Sequence, residues 1–359
     1  MMILLAVAMA LTFTAPDVDE TARELLDASG APGAAVAVMN DQTIRIGVAG
    51  SRINGRDIPV EPDDLWHMGS NTKAMTATLV ARLVEQGAAR WDMTVGEVLE
   101  GRGLDIHADL AAADFVALLS HRSGMSANAG PLTAIRLAGT DAGRDAGADR
   151  LVYARAVLGS PGGEVGAFLY SNAGYVVAAL MVEYLTGESY EALMAREVFE
   201  PLGMESAGWG PPGVQGRADQ PRGHRPGFLG LSAVEPGAMA DNPPAMNPAG
   251  RAHMTMTDLL RFLEIHRMGA AGEETGYLSA ASFERLHTPN GTYALGWGVR
   301  ADGSLVHSGS NTMWLVSMRV DPATGHVAAA GVNDGRLDRV SGPVNEALSA
   351  LAAVEQARP

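Results

Sequence analysis

The sequence predicts an α+β protein in which one antiparallel sheet, flanked by the terminal helices, carries an inserted all-helical lobe. Three observations support this fold class. Strand patterns occur near both ends of the chain, helical patterns fill the middle, and short turns join neighbouring strands. Strands that are joined by short turns pair antiparallel, so both ends of the chain contribute to one sheet.

Each element is predicted from its own local pattern of apolar spacing, caps and turns. The predicted elements are, in order, a helix over 17–30 that ends at Gly30, two strands in GAAVAVMN and TIRIGVAGS, a long helix from Ser70 to Gly87, helices and loops over 92–230 with a Gly- and Pro-rich surface loop at 210–230, a helix in MTMTDLLRFLEIHRMG, strands after Gly291, and a closing helix in VSGPVNEALSALAAVEQ.

These elements predict a single domain over 16–356. The sheet and its flanking helices form an α/β lobe from about 17–68 and 246–356, and the helical lobe covers about 69–245. A cleft between two lobes is the default place for a site. We expect its walls to come from the loops at 126–160 and 210–245.

Composition excludes several classes of function. The chain has 359 residues and a formal net charge of −15, so it lacks the basic face that nucleic acids require. It has no cysteine, which excludes disulfides, thiolate zinc sites and a cysteine nucleophile. No H-E-x-x-H motif or close histidine pair occurs, so we expect no metal, and no cofactor motif is present.

The N-terminal stretch is apolar over 2–13 and is followed by acidic residues. Its length is typical of a signal-peptide core and too short for a membrane-spanning helix. We therefore interpret 1–15 as a possible signal peptide and expect a periplasmic or secreted protein with no stable membrane span.

Ser70 and Lys73 form the first candidate site. Lys73 is the only lysine among 26 basic residues. Residues three apart lie on one face of a helix, so the amine lies beside the serine hydroxyl. A desolvated lysine can lose its proton and act as a base, which arginine cannot. The N-terminus of a helix also favours developing negative charge.

Two further motifs have matching chemistry. FLYSNAGY places Tyr170 and Asn172 at the start of a helix, and VHSGSNTMW places His307, Ser308 and Gly309 on a strand. Together the three motifs resemble those of the serine β-lactamase and penicillin-binding protein superfamily, in the form typical of class C β-lactamases and related esterases and D-peptidases. The resemblance extends from about 33 to 333 and implies the β-lactamase/transpeptidase fold.

The resemblance also implies roles for the site residues. Ser70 becomes acylated, while Lys73 and Tyr170 share the acid and base steps. Asn172 orients Lys73 or a substrate amide. The backbone N–H groups of Ser70 and Ser310 form the oxyanion hole, and Gly309 allows close approach of the strand.

The third motif begins with His307, where β-lactamases mostly have lysine. We expect His307 and Ser308 to contact a substrate carboxylate, with an imidazole that titrates near neutrality. The histidine favours the esterase or peptidase branch. The sequence thus predicts a serine hydrolase acting on an ester, amide, D-amino-acid peptide or β-lactam, with a small-molecule or peptidoglycan-like substrate. The alternative is a penicillin- or peptidoglycan-recognising module that acylates without efficient turnover.

Overall fold

The computed structural model describes residues 17–40, 42–138, 145–228, 230–237 and 240–353. The possible signal peptide at 1–15 lies outside these residues. Within them, the principal sheet has six antiparallel strands built from both ends of the chain. Its strands, in spatial order, are β2 (Thr43–Gly50), β1 (Gly33–Asn40), β11 (His326–Val332), β10 (Leu315–Asp321), β9 (Leu305–Ser310) and β8 (Gly298–Val299).

The helices are distributed along the chain much as the sequence predicts. They are α1 (Val18–Ser29), α2 (Thr72–Glu85), α3 (Val95–Leu99), α4 (Ala108–Ala111), α5 (Phe115–Leu119), α6 (Pro131–Leu137), α7 (Ala146–Val157), α8 (Asn172–Thr186), α9 (Tyr190–Met194), α10 (Asn247–Gly250), α11 (Met256–Ala270), α12 (Ala280–His287) and α13 (Leu337–Ala353).

Central strand β1 is covered on both faces, which explains its nearly continuous apolar sequence. Side chains alternate along a strand, so Val36 and Val38 pack with α1 and α13, while Ala35 and Ala37 belong to the core on the opposite side. Helix α11 contacts the sheet on that second side. Helix α1 ends at Gly30 with φ 59°, as its sequence predicts.

Helix α2 passes through the centre of the molecule and is buried along most of its length. Its polar side chains find partners there, as when Thr76 Oγ1 contacts Tyr190 Oη at 2.7 Å and Pro248 O at 2.7 Å. A 3₁₀ turn over Gly69–Asn71 precedes the helix and carries Ser70. The turn also contacts β9, so the buried α2 holds Ser70 close to this strand.

The predicted α+β class is confirmed, with one difference in the inserted segment. That segment also contains the short strands β4 (Gly208–Trp209), β5 (Gly223–Gly227) and β6 (Gly230–Val234). Strand β4 pairs with β7 (Ala252–Thr255), which pairs with β3 (Leu65–His67), and β5 pairs with β6. The lobe is therefore not wholly helical.

The prediction of a surface loop at 210–230 is wrong for its second half. Gly223 begins β5 directly against the ring of Trp314, where a side chain would collide. His224 is buried and bridges the N–H of Asn54 at 2.9 Å and the carbonyl of Asn333 at 2.7 Å. These long-range contacts hold a Gly- and Pro-rich segment in a hairpin that its local sequence does not predict.

Within the described ranges, no helix combines the length and apolar character needed to cross a membrane.

Candidate active site

Ser70 and Lys73 lie side by side at the entrance to α2. Lys73 Nζ is 3.0 Å from Ser70 Oγ, as the spacing of the two residues predicts. The serine belongs to the 3₁₀ turn and the lysine to the first turn of the α-helix. The helix N-terminus adds a positive field at the nucleophile.

Lys73 is completely buried, and within the described ranges the hydrogen-bond partners of its amine are uncharged. Its Nζ donates to Asn172 Oδ1 at 2.6 Å and to the carbonyl of Ala249 at 2.6 Å. Burial lowers the pKa of Lys73 well below its ordinary value. A neutral amine has two N–H donors for these two acceptors, which leaves its lone pair for the Ser70 hydroxyl.

Asn172 is the first residue of α8, and Ser171 caps the helix by accepting the N–H of Gly174 at 2.9 Å. The amide of Asn172 is oriented at both ends. Its Nδ2 donates to Asn128 Oδ1 at 2.9 Å, so its Oδ1 faces Lys73. Asn128 was not among the candidates from sequence, because it lies in a loop distant from every motif.

Tyr170 precedes the same helix and contacts both members of the first motif. Its hydroxyl is hydrogen-bonded to Ser70, and its ring centroid lies 4.8 Å from Lys73 Nζ. Burial raises the pKa of Tyr170 to about 12, although the hydrogen bond to Ser70 opposes this shift. The phenol therefore holds its proton at neutral pH.

Strand β9 approaches the nucleophile so closely that only glycine fits at two positions. A Cβ on Gly309 would collide with Met68 O and would lie 2.6 Å from the backbone nitrogen of Ser70. A Cβ on Gly69, which has φ 49°, would collide with the backbone of Ser310. Ser70 and Ser310 consequently line one cavity with their backbones adjacent.

The burial and the pKa of His307 differ from what the sequence predicts. Its side chain is buried, and Nε2 lies 3.0 Å from Tyr293 Oη. Burial lowers the pKa of His307 to about 3, so the expectation that it titrates near neutrality is wrong. Ser308 lies on the other face of β9, where its Oγ contacts Ser317 Oγ at 2.8 Å.

His121 lies at the centre of an aromatic cluster beside Tyr170. Its ring centroid is 4.2 Å from that of Tyr170 and 4.7 Å from that of Tyr293. Its Nδ1 accepts the N–H of Ser171 at 3.0 Å, which supports the turn between Tyr170 and α8. Burial lowers the pKa of His121 to about 2, so the ring is neutral.

His67 forms a second network that no local motif indicates. Its Nδ1 accepts the N–H of Gly69 at 3.1 Å, and its Nε2 lies 2.7 Å from Asp241 Oδ2. Trp314 is buried and stacks on His67, with 5.4 Å between the two ring centroids.

The site opens into a cavity of about 380 Å³, called here the Ser70 cavity. Amide and hydroxyl side chains make up the polar part of its wall, from Asn128, Asn172, Asn242, Ser310, Asn311 and Thr312. Ala134, Leu137 and Met246 belong to the apolar part. Both segments expected to form walls, 126–160 and 210–245, contribute to it, although Ala134 and Leu137 belong to α6 and Tyr153 to α7, not to loops.

Within the described ranges, no group of three or more His, Cys, Asp or Glu side chains could hold a metal ion. His266 Nδ1 and His287 Nε2 do meet at 2.9 Å, a pair that is separated by 21 positions in sequence. His266 also contacts Thr78 Oγ1 at 3.0 Å, so this pair is part of the packed interior.

The family profile described as Beta-lactamase matches residues 18–351. Penicillin-binding protein 4 of Amycolatopsis lactamdurans is 33% identical over 324 residues, which cover 85% of this chain and 81% of that protein. A D-stereospecific amidohydrolase from Streptomyces sp. superposes with a TM-score of 0.71 at 22% identity, covering 92% of this chain and 98% of the other.

A class C β-lactamase from Rhodobacter sphaeroides has the same fold, with a TM-score of 0.68 at 18% identity over 92% of this chain and 97% of the other. The structural similarities at this level of identity concern the fold. The family match covers almost the whole described chain, including all three motifs. The chain therefore belongs to the Beta-lactamase family, within a superfamily of serine hydrolases.

Proposed function

We propose that this protein hydrolyses open-chain ester or amide bonds through an acyl-enzyme formed on Ser70. The observation that carries this proposal is the position of Lys73 Nζ, which is buried, 3.0 Å from Ser70 Oγ, and bonded to two neutral acceptors. This environment favours an unprotonated amine, and such an amine can accept the serine proton.

In the first step, Ser70 Oγ bonds to the substrate carbonyl carbon as its proton passes to Lys73. The carbonyl π electrons move to oxygen, and the backbone N–H groups of Ser70 and Ser310 stabilise the resulting oxyanion. Each such donor contributes roughly 3–4 kcal/mol of transition-state stabilisation.

In the second step, the tetrahedral intermediate breaks its bond to the leaving group. Tyr170 donates its proton to that group and recovers a proton from Lys73. Because burial raises the pKa of Tyr170 to about 12, the phenol is protonated at neutral pH and enters this step as a relay that already carries a proton, not as a phenolate base. Water then attacks the acyl-enzyme by the same route in reverse, which releases the acid and restores Ser70.

The acylation test uses a fluorophosphonate probe followed by peptide mass spectrometry. We expect the adduct on Ser70, and we expect Ser70→Ala to lose both labelling and hydrolysis of p-nitrophenyl butyrate. An adduct on another serine, with Ser70→Ala still active, would refute the assignment. A stoichiometric burst without turnover would instead support a module that acylates and does not hydrolyse.

We also propose that 1–15 directs export of the protein to the periplasm or the medium. The apolar stretch at 2–13 supports this proposal. N-terminal sequencing of the protein from fractionated cells is the test. Removal of the segment in an exported fraction is expected, whereas an intact Met1 confined to the cytoplasm would contradict it.

A further inference from the structure

The wall of the Ser70 cavity contains no charged side chain among the residues that the structure describes. Its polar groups are neutral amides and hydroxyls, and the remainder is apolar. A carboxylate entering such a cavity would lose water without gaining a cation. Burying an unpaired charge in this way is strongly unfavourable.

Two basic side chains near the cavity, Lys73 and Arg251, already have hydrogen-bond partners. Lys73 Nζ is bonded to Ser70, Asn172 and the carbonyl of Ala249. Arg251 donates to Asp241 Oδ2 at 3.2 Å and to Asn247 Oδ1 at 2.9 Å. Neither side chain appears in the cavity wall.

The strand side of the site is neutral as well. The Nε2 of His307 contacts Tyr293 Oη, and its side chain is buried. Further along the chain from His307, the cavity wall is formed by Ser310, Asn311 and Thr312. The formal net charge of −15 adds a long-range field that disfavours anionic ligands.

We propose that the site selects neutral acyl compounds, namely esters or amides with no carboxylate on the leaving-group side of the scissile bond. This inference rests on the proposed function of Ser70 and adds its substrate class. It places compounds such as capped peptides and uncharged esters ahead of penicillins and free D-peptide acids, which carry a carboxylate beside the scissile bond.

The test compares methyl 3-acetoxybenzoate with 3-acetoxybenzoate, which differ at one carboxyl group on the leaving phenol. Each kcat/KM is divided by the rate constant for hydroxide-catalysed hydrolysis of the same compound. We expect the neutral ester to be favoured by about tenfold or more, which corresponds to about 1.4 kcal/mol. An equal or higher value for the carboxylate would overturn the inference while leaving the proposed function intact.

A charge-introducing variant tests the cause of the selectivity. Thr312 is exposed and lines the cavity. Its φ of 71° is a conformation that a β-branched residue tolerates poorly, so replacement by an unbranched side chain adds no backbone strain. We expect Thr312→Lys to raise the relative kcat/KM for the carboxylate about tenfold. The matched variant Thr312→Gln, of similar length but neutral, should keep the wild-type ratio.

The two variants also distinguish failure of this inference from failure of the proposed function. Equal ratios in Thr312→Lys, Thr312→Gln and wild type would show that charge at the wall does not govern selection, and would overturn the inference. Absence of hydrolysis of both esters, together with absence of fluorophosphonate labelling at Ser70, would instead overturn the proposed function.

Discussion

The Nε2 of His67 lies 2.7 Å from Oδ2 of Asp241, and this contact ties the nucleophile's turn to a distant loop. The other ring nitrogen accepts the N–H of Gly69, the residue before Ser70. Asp241 also accepts from Asn311 at 3.0 Å, next to Ser310 on the opposite side of the cavity. One buried carboxylate is thus connected to the backbone segments that contain Ser70 and Ser310.

We expect Asp241→Asn to lower kcat with little change in KM. The amide loses the negative charge that pairs with Arg251 and cannot accept from every present donor, so the turn around Ser70 shifts. Misplacement of a reacting group by 1 Å can cost about 100-fold, and we expect a loss of about 10- to 100-fold. Steady-state kinetics on a neutral ester measure kcat and KM separately and so test this prediction.

Asp258→Asn is the matched control for this positioning role. Asp258 is also a buried carboxylate, but it contacts Ser206 and Arg261 away from the cavity. Both variants should lose stability in thermal unfolding, and only Asp241→Asn should lose kcat in its folded form. Equal kcat values for the two folded variants would contradict a positioning role for Asp241.

Lys73→Arg should be nearly inactive although it keeps a positive charge. A guanidinium holds its proton and cannot accept one from Ser70, and its planar fork does not fit between Asn172 Oδ1 and the carbonyl of Ala249. We expect a loss of about 10²- to 10⁴-fold in kcat/KM, the range for general acid–base catalysis. Retention of half the wild-type rate, with Ser70 labelled normally, would show that charge alone suffices.

The pH dependence of kcat/KM should report the ionisation of Lys73. Burial lowers its pKa, so the active neutral amine predominates over a wider range of pH than for a free lysine. Activity on a neutral ester should rise with pH to a plateau, with a midpoint below the value of about 10.4 for a free lysine. A midpoint at or above that value would contradict a neutral Lys73 as the base.

The sequence predicted the groups whose proximity depends on local spacing. Ser70 and Lys73 are neighbours because residues three apart share a helix face, whereas the approach of Tyr170 and of Asn172, which is 99 positions from Lys73, was expected only from the family resemblance. The strand pattern at both ends of the chain likewise predicted the principal sheet.

The missed features all depend on contacts between distant segments. His67 and Asp241 are separated by 174 positions, and His307 owes its low pKa to burial. The motif does not show whether the ring of His307 faces water or the interior. The sequence alone therefore could not predict the charge of this residue. The β5–β6 hairpin is similarly stabilised by tertiary contacts against its local composition.

The neutral, buried His121 should make the protein sensitive to acid. Around its ring lie Lys73, His307, Tyr170, Tyr175 and Tyr293, none of which provides a negative charge at neutral pH. Its pKa is lowered to about 2 in the folded state, against about 6.5 in the unfolded chain. The contribution of neutral His121 to the free energy of unfolding is therefore fully present above pH 6.5, and it is lost as the pH falls toward 2.

His121→Asn isolates this contribution. Asparagine tolerates the residue's φ of 62° and can accept the N–H of Ser171, but it does not titrate. Between pH 6 and 4, the free energy of unfolding of the wild type should fall more steeply than that of the variant by at most about 1.4 kcal/mol per pH unit. Urea unfolding at several pH values measures the two slopes, and parallel slopes would show that His121 is already protonated in the folded protein.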